Sequence, residues 1–320
     1  MSDILVIAEL VDNAITDISL QCLAKARELA AGKAKVLCAV AGTGIGEPAK
    51  QLASCGADTV YAADDAKLAH YLTTPYRKVM GDLIRQISPS IILTPSSTQG
   101  NDLAPALAVE FKAACVLDCL LATAQGDQVV FGRPEFDRKV MTRFSSKGQM
   151  VIATLKDGVA APAAADASKS GTVSALAVAL DAAHLKSKIV KRDVAHKTVN
   201  LKDAKVIVSG GAGVGTKENF KLLEDLAAKL GGEVGATRAA VDAGWVSAER
   251  QVGQTGVTVR PDLYVACGIS GAVQHRVGMM DSKKIVAINT DSGAPIFKFA
   301  HYRLTGDLKL IVPKLLKLLN

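Results

Sequence analysis

The chain has 320 residues, 49% hydrophobic and 22% charged, which excludes a disordered or fibrous protein and is enough for two domains that each bury a core. Its six cysteines include no C-x-x-C pair and its five histidines show no metal-ligand spacing, so reduced, packed cysteines and no metal site are expected. The net charge of +7 is uneven: residues 1–150 carry 15 basic and 16 acidic side chains and residues 151–320 carry 23 and 15, and a basic half favours an anionic diphosphate ligand.

The chain opens on an apolar run, Ile4 to Ala8, flanked by Asp3 and Glu9. It lacks the basic flank and small-residue cleavage site of a secretory signal, and no apolar run reaches membrane-spanning length, so a cytoplasmic protein of bacterial type without membrane insertion is expected. Strand and helix patterns then alternate: a helix over 17–31, strand 36–40, helix 47–53, strand 59–62, helix 69–87, strand 91–95 and helix 101–111. This alternation predicts crossover units on a parallel sheet. Four short strands follow, 116–123, 128–132, 139–145 and 150–155, separated by glycine and charged turns, and read as an antiparallel extension of that sheet. Residues 157–202 form the boundary region, beginning with the small-residue segment GVAAPAAADASKSG and containing Lys186, Lys188, Lys191, Arg192 and Lys197. With 4% aromatics and no recognisable nucleic-acid motif, that run reads as a solvated basic connector. A second alternation has a strand at 206–209, a helix over 219–230, a segment at 234–241, a strand at 264–266, a helix start near Ala272, a strand at 285–288 and a final helix over 307–319. The expected fold class is α/β, with two domains at 1–190 and 200–320, each a mostly parallel sheet with helices on both faces, the second Rossmann-like.

The chemistry lies in the second domain. After its first strand the chain reads GGAGVGTKENF, Gly210 to Phe220, where glycines let the backbone approach a phosphate and a helix start offers N–H groups. Gly211, Gly213 and Gly215 do not have the standard dinucleotide spacing, and a merely tight turn reads equally well. The next segment, GATRAAVDAGWVSAERQVGQTG, places Thr237 and Arg238 beside small residues. A guanidinium buried there needs an anionic partner, and the alternative is a partly exposed arginine paired with Asp242. The third, DLYVACGISGAVQH, is a buried strand, a glycine and serine turn, then Gln274 and His275, and it is followed by the strand ending at Asn289. Singly, His275 also reads as a core histidine with both nitrogens satisfied, Ser270 as a helix cap and Gln274 as an exposed polar residue.

Together, GGAG, TRAAVDAG, QVGQTG, LYVACGISGAVQH and IVAIN, in this order, resemble the alpha subunit of electron transfer flavoprotein, and ILVIAEL, GNDLAPALAVEF and RPEFDRKVM in the first half also look like that family. The resemblance implies a non-enzymatic electron carrier. FAD would be held by the C-terminal domain and the N-terminal domain would pack against a beta subunit, which in the family carries AMP. Electrons would come from flavoprotein dehydrogenases and pass to a quinone-linked reductase or other acceptor. It further implies that Arg238 lies over the flavin and stabilises its anionic semiquinone or reduced form, a fixed positive charge favouring a ligand that becomes negative. Thr255, Gln254 and the backbone of Val252 and Gly253 would bond the flavin edge near N5. Ser270, Gly271, Ala272, Val273, Gln274 and His275 would line the diphosphate, ribityl and pyrimidine side, with His275 near the C2 carbonyl. Thr237 would contact phosphate, and Asn289, Asp307 and Leu308 would hold adenosine. The family's first glycine turn usually reads GGRG, whereas this chain has Gly211 and Ala212 in GGAG, so contact there would rest on backbone N–H groups and neighbouring residues. Two alternatives remain open: a nicotinamide-dependent oxidoreductase using NAD, and a non-redox adenine-nucleotide binding module.

Overall fold

Runs made almost wholly of apolar residues make strands that must be covered on both faces, and ILVIA, VLCAVAG and VIATL are buried at each position. The computed structural model describes residues 3–126, 128–136, 139–146, 150–166, 171–191 and 199–319; Arg192, His196 and Lys197 of the basic stretch, and Asp137 and Arg138, lie outside them. The chain divides into two compact units, residues 1–191 and 192–320.

In the first unit the elements are β1 (Ile4–Ala8), β2 (Leu10–Val11), β3 (Ala14–Ile15), α1 (Asp17–Ala30), β4 (Val36–Gly42), α2 (Gly46–Ser54), β5 (Thr59–Asp64), α3 (Thr73–Ile87), β6 (Ile91–Pro95), α4 (Thr98–Phe111), β7 (Ala114–Cys119), β8 (Leu121–Gln125), β9 (Gln128–Glu135), β10 (Val140–Ser145), β11 (Val151–Leu155) and β12 (Thr172–Ala175). Seven strands form one sheet in the order β12-β5-β4-β1-β6-β11-β7, every pairing parallel. The period of two along β1 splits the core. Ile4, Val6 and Ala8 face Cys22 and Leu23 of α1 and Leu52 of α2, while Leu5 and Ile7 face Val79 and Leu83 of α3 and Leu107 of α4. Each large apolar side chain buried this way contributes roughly 1.5–3 kcal/mol. Polar caps set the helix starts: the Thr16 hydroxyl accepts from Ser19 N–H at 3.3 Å and the Ser97 hydroxyl accepts from Gly100 N–H at 2.9 Å.

The expected antiparallel extension of this sheet is corrected in two ways. Asp118 adopts φ 61° where the β7 register shifts, β7 ends at Cys119, and Leu120 N–H then bonds Gly132 O at 2.9 Å, so the expected strand 116–123 is two strands in two sheets. Of the segments in that expected extension, β8, β9 and β10 are antiparallel, in a separate three-stranded sheet. The strand at 151–155 instead inserts between β6 and β7, parallel to both, because a mostly apolar run whose one polar residue, Thr154, accepts from Asp118 N–H at 2.8 Å suits a position with both faces covered.

The second unit contains β13 (Val206–Gly210), α5 (Phe220–Lys229), β14 (Glu233–Ala236), α6 (Arg238–Asp242), β15 (Leu263–Cys267), α7 (Val273–Met279), β16 (Lys284–Asn289), β17 (Tyr302–Thr305) and α8 (Leu308–Leu318). Its five strands run parallel in the order β14-β13-β15-β16-β17. Ile207, Tyr264 and Ala287 face one layer, with Met279 of α7; Val208, Val265 and Ile288 face the other, with Leu223 of α5 and Val312 of α8. This is the doubly wound, Rossmann-like architecture, and the direction of winding reverses between β13 and β15. The edge strand β17 has no sequence signature because all four of its residues are exposed.

No helix among the described residues is long and apolar enough to cross a membrane. All six cysteines are free, five of them buried and Cys115 exposed.

Candidate functional site

In a doubly wound sheet ligands settle outside the carboxyl ends of the strands, where the winding reverses. Here that point is built from two glycine turns pressed backbone to backbone. Gly211 N–H bonds Cys267 O at 3.0 Å and Gly213 N–H bonds Gly268 O at 2.9 Å. A Cβ on Gly211 would sit 2.4 Å from Gly268 O, one on Gly213 2.8 Å from Gly268 Cα, and Gly268 itself has φ +62°. Only glycine permits this approach, and it fixes the floor of a cavity of about 760 Å³. That volume falls within the roughly 300–1,000 Å³ of ligand sites.

The end of β14 and the helix after it supply one wall. Thr237 N–H bonds Gly210 O at 3.0 Å, holding the start of α6 against β13. Its hydroxyl is buried without a hydrogen-bond partner among the described residues, and the residue lines the cavity. Arg238 and Asp242, one helical turn apart, both line the cavity, with Nε 3.3 Å from Oδ2. Their side chains are 70% and 65% exposed, so the expected buried guanidinium is corrected: five residues of helix at the sheet's rim leave the side chain in solvent, paired with Asp242.

The loop QVGQTG forms a second wall, and backbone bonds hold it to the neighbouring elements: Val252 N–H to Ala236 O at 2.9 Å, and Gln254 N–H to Gln274 O at 2.7 Å. Gly278 of α7 meets Gly253 so closely that a Cβ there would lie 2.4 Å from Gly253 N. The Thr255 hydroxyl accepts from Gln251 Nε2 at 2.9 Å and can still donate its own proton.

His275 is buried, with Nδ1 3.0 Å from Val252 O and Nε2 3.0 Å from the Tyr264 hydroxyl. A carbonyl only accepts, so Nδ1 carries the proton and Nε2 accepts from Tyr264. Burial pushes the imidazole pKa down to about 4, against the raising effect of the Val252 carbonyl, so the ring is neutral near pH 7. Burial also pushes the Tyr264 hydroxyl above its ordinary value. As the ring stands, both nitrogens are engaged inside the protein. Tyr264 and Val252 hold the ring, the arrangement of a core histidine with both nitrogens satisfied, and the ring holds the loop.

The cavity brings together Gly211, Ala212, Thr237, Arg238, Val252, Gly253, Gln254, Thr255, Ser270, Ala272, Gln274, His275 and Asn289. Four expected residues do not line it. Gly271 packs against Ile296, Val273 is 46% exposed, Leu308 is buried in the core, and Asp307 caps α8 by accepting from Lys309 N–H at 2.9 Å. Asn289 is committed to the loops: it donates to Ile269 O at 2.9 Å and accepts from Asp291 N–H at 2.9 Å. Asp242, Asp291, Ala294 and Pro295 line the cavity without having been singled out as ligand contacts. The last three follow β16, so the rule that loops at carboxyl strand ends build the site was the signal that could have found them.

Comparison with known proteins now bears on this geometry. The profile described as the electron transfer flavoprotein domain matches residues 4–181, and that of the electron transfer flavoprotein FAD-binding domain matches residues 200–280. The electron transfer flavoprotein subunit alpha of Thermoanaerobacterium thermosaccharolyticum is 39% identical, over 98% of this chain and 97% of its own length; that of Bacillus subtilis is 38% identical, over 98% and 95%. This chain belongs to the electron transfer flavoprotein alpha-subunit family. A further relative, the lactate dehydrogenase (NAD(+),ferredoxin) subunit LctC of Acetobacterium woodii, is 33% identical over 97% of this chain and 75% of its own.

As in the family, the cofactor is FAD. The residues present fit it: the Gly211 to Gly213 and Gly268 turns clear the space a phosphate backbone needs, the Thr237 hydroxyl lacks a partner among the described residues, and Arg238 supplies a cation at the rim. Nothing on the Ala212 side chain can bind an anion, so its turn contributes backbone alone.

Proposed function

We propose that this chain is the alpha subunit of a heterodimeric electron carrier that turns over no substrate of its own. In this reading residues 200–320 hold FAD, residues 1–190 pack against a beta subunit, electrons arrive from flavoprotein dehydrogenases, and they leave to a quinone-linked or other protein acceptor. The location is the cytoplasm. The cofactor supplies one-electron chemistry; the chain binds it, shields it and sets its charge balance.

The observation that carries the reading is the pairing of a glycine floor with a single cationic wall residue. The turns at Gly211 to Gly213 and Gly268 would admit the diphosphate, with Thr237 donating to it. Val252, Gly253, Gln254 and Thr255 would border the ring edge, and the neutral Nδ1–H form of His275 would keep that loop in place by holding Val252 O. Ser270, Ala272 and Gln274 would line the ribityl side, with Asn289 tying the Ile269 and Asp291 segments together at the adenosine end. Arg238 would offset negative charge that builds on the ring during reduction. Gly271, Val273, Asp307 and Leu308 would act from behind the wall, through the backbone turns and the start of α8.

The test is co-expression with a beta subunit, an absorbance spectrum, and stepwise reduction. Flavin absorbance and uptake of one electron at a time support the reading. A colourless complex, or bleaching by two electrons directly, overturns it. In the same complex Arg238→Gln is expected to lower the midpoint of the first electron.

A further inference from the structure

We propose that Asp242 is a positioning residue that sets how much of the Arg238 charge reaches the cofactor. The inference rests on the role given to Arg238 above and deepens it.

Asp242 stands one turn after Arg238 on α6, lines the same cavity, and its Oδ2 lies 3.3 Å from the Arg238 Nε. The hydrogen bond is to Nε, and among the described residues no hydrogen bond to the terminal nitrogens competes with a ligand. It is exposed, with side chains 70% and 65% accessible, and such pairs contribute little to folding in water. A ligand that fills the cavity takes both charges out of water, where their fields act over the same few ångströms with less screening. The carboxylate then does two things of opposite sign. It tethers the guanidinium at the rim, which helps a negative ring. It also cancels part of the positive field, which opposes one. Asn in its place keeps an acceptor oxygen for Nε and removes the charge; Ala removes both.

The test uses the FAD-loaded complex with its beta subunit and reads the midpoint potential of the first electron, together with the yield of the one-electron-reduced spectrum. Asp242→Asn is expected to raise the midpoint and increase the one-electron yield above the parent. Asp242→Ala is expected to give a smaller rise, because the tether is lost with the charge. An unchanged or lowered midpoint in Asp242→Asn, with Arg238→Gln lowering it, overturns the role of Asp242 and leaves that of Arg238 standing. A midpoint unmoved by Arg238→Gln overturns both.

Discussion

The two sheets reverse their winding in the same way, between β1 and β6 in the first unit and between β13 and β15 in the second, yet the two points are filled differently. In the first, the chain supplies its own acid: Glu9 follows β1, is 6% exposed, and accepts from the Ser97 hydroxyl at 2.7 Å at the start of α4. In the second, the equivalent strand ends carry Gly211, Gly213 and Gly268, and a ligand-sized cavity opens above them. Topology therefore names the place at the strand ends where a polar group is held, and the side chains there decide whether that group is internal or a bound ligand.

The sharpest way to break the comparison is to fill the second point with a side chain. Gly268→Ala places a Cβ 2.7 Å from Gly213 C at φ +62°, so it should destabilise the second unit by about 2–4 kcal/mol and abolish flavin retention; chemical denaturation and the ratio of flavin to protein absorbance check it. Native-like flavin content in that variant would show that the close approach is dispensable.

The first point should instead gain from losing its charge. Burial raises the Glu9 pKa to about 7 despite the hydrogen bonds from Ser97 and Gly100, so the folded state holds its proton more tightly than the unfolded chain. The contribution of the neutral acid is fully present below pH 4.5 and is lost as pH rises through 7. Glu9→Gln should thus gain stability on the parent between pH 5 and pH 8, by up to roughly 3 kcal/mol, in paired urea titrations. A constant difference between those two pH values would remove the buried charge from the account.

His275 shifts in the other direction. Its folded pKa of about 4 lies below the ordinary 6.5, so its contribution to stability is complete above pH 6.5 and is lost as pH falls towards 4. Tyr264→Phe leaves Nε2 buried without its donor and should cost about 1–3 kcal/mol, while nitrogen NMR of the parent should report a proton on Nδ1 throughout pH 5–8.

The smallest effect separates folding from binding. The Thr237 hydroxyl has no partner among the described residues, so Thr237→Val should leave the ligand-free unit within about 0.5 kcal/mol of the parent or make it slightly more stable. The same variant should weaken FAD rebinding roughly tenfold, the loss of one hydrogen bond to a charged group. Equal affinity in the two proteins would take Thr237 out of the site.

Much of this was legible in the chain itself, for local reasons. Apolar runs such as ILVIA and VLCAVAG can only be covered strands, and three glycine-bearing segments in one register marked the site, because close backbone approach leaves no other residue. Tertiary structure decided what depends on neighbours far along the chain. It inserted residues 151–155 between β6 and β7 where the sequence reading had an antiparallel extension, and it put Arg238 in solvent beside Asp242. It also gave both nitrogens of His275 to Tyr264 and Val252, 11 and 23 residues away, and turned Asp307 to capping α8. Sequence fixes which groups a segment can offer; burial and pairing decide which of them are left free, because each hydrogen bond made inside the protein is one withdrawn from a ligand.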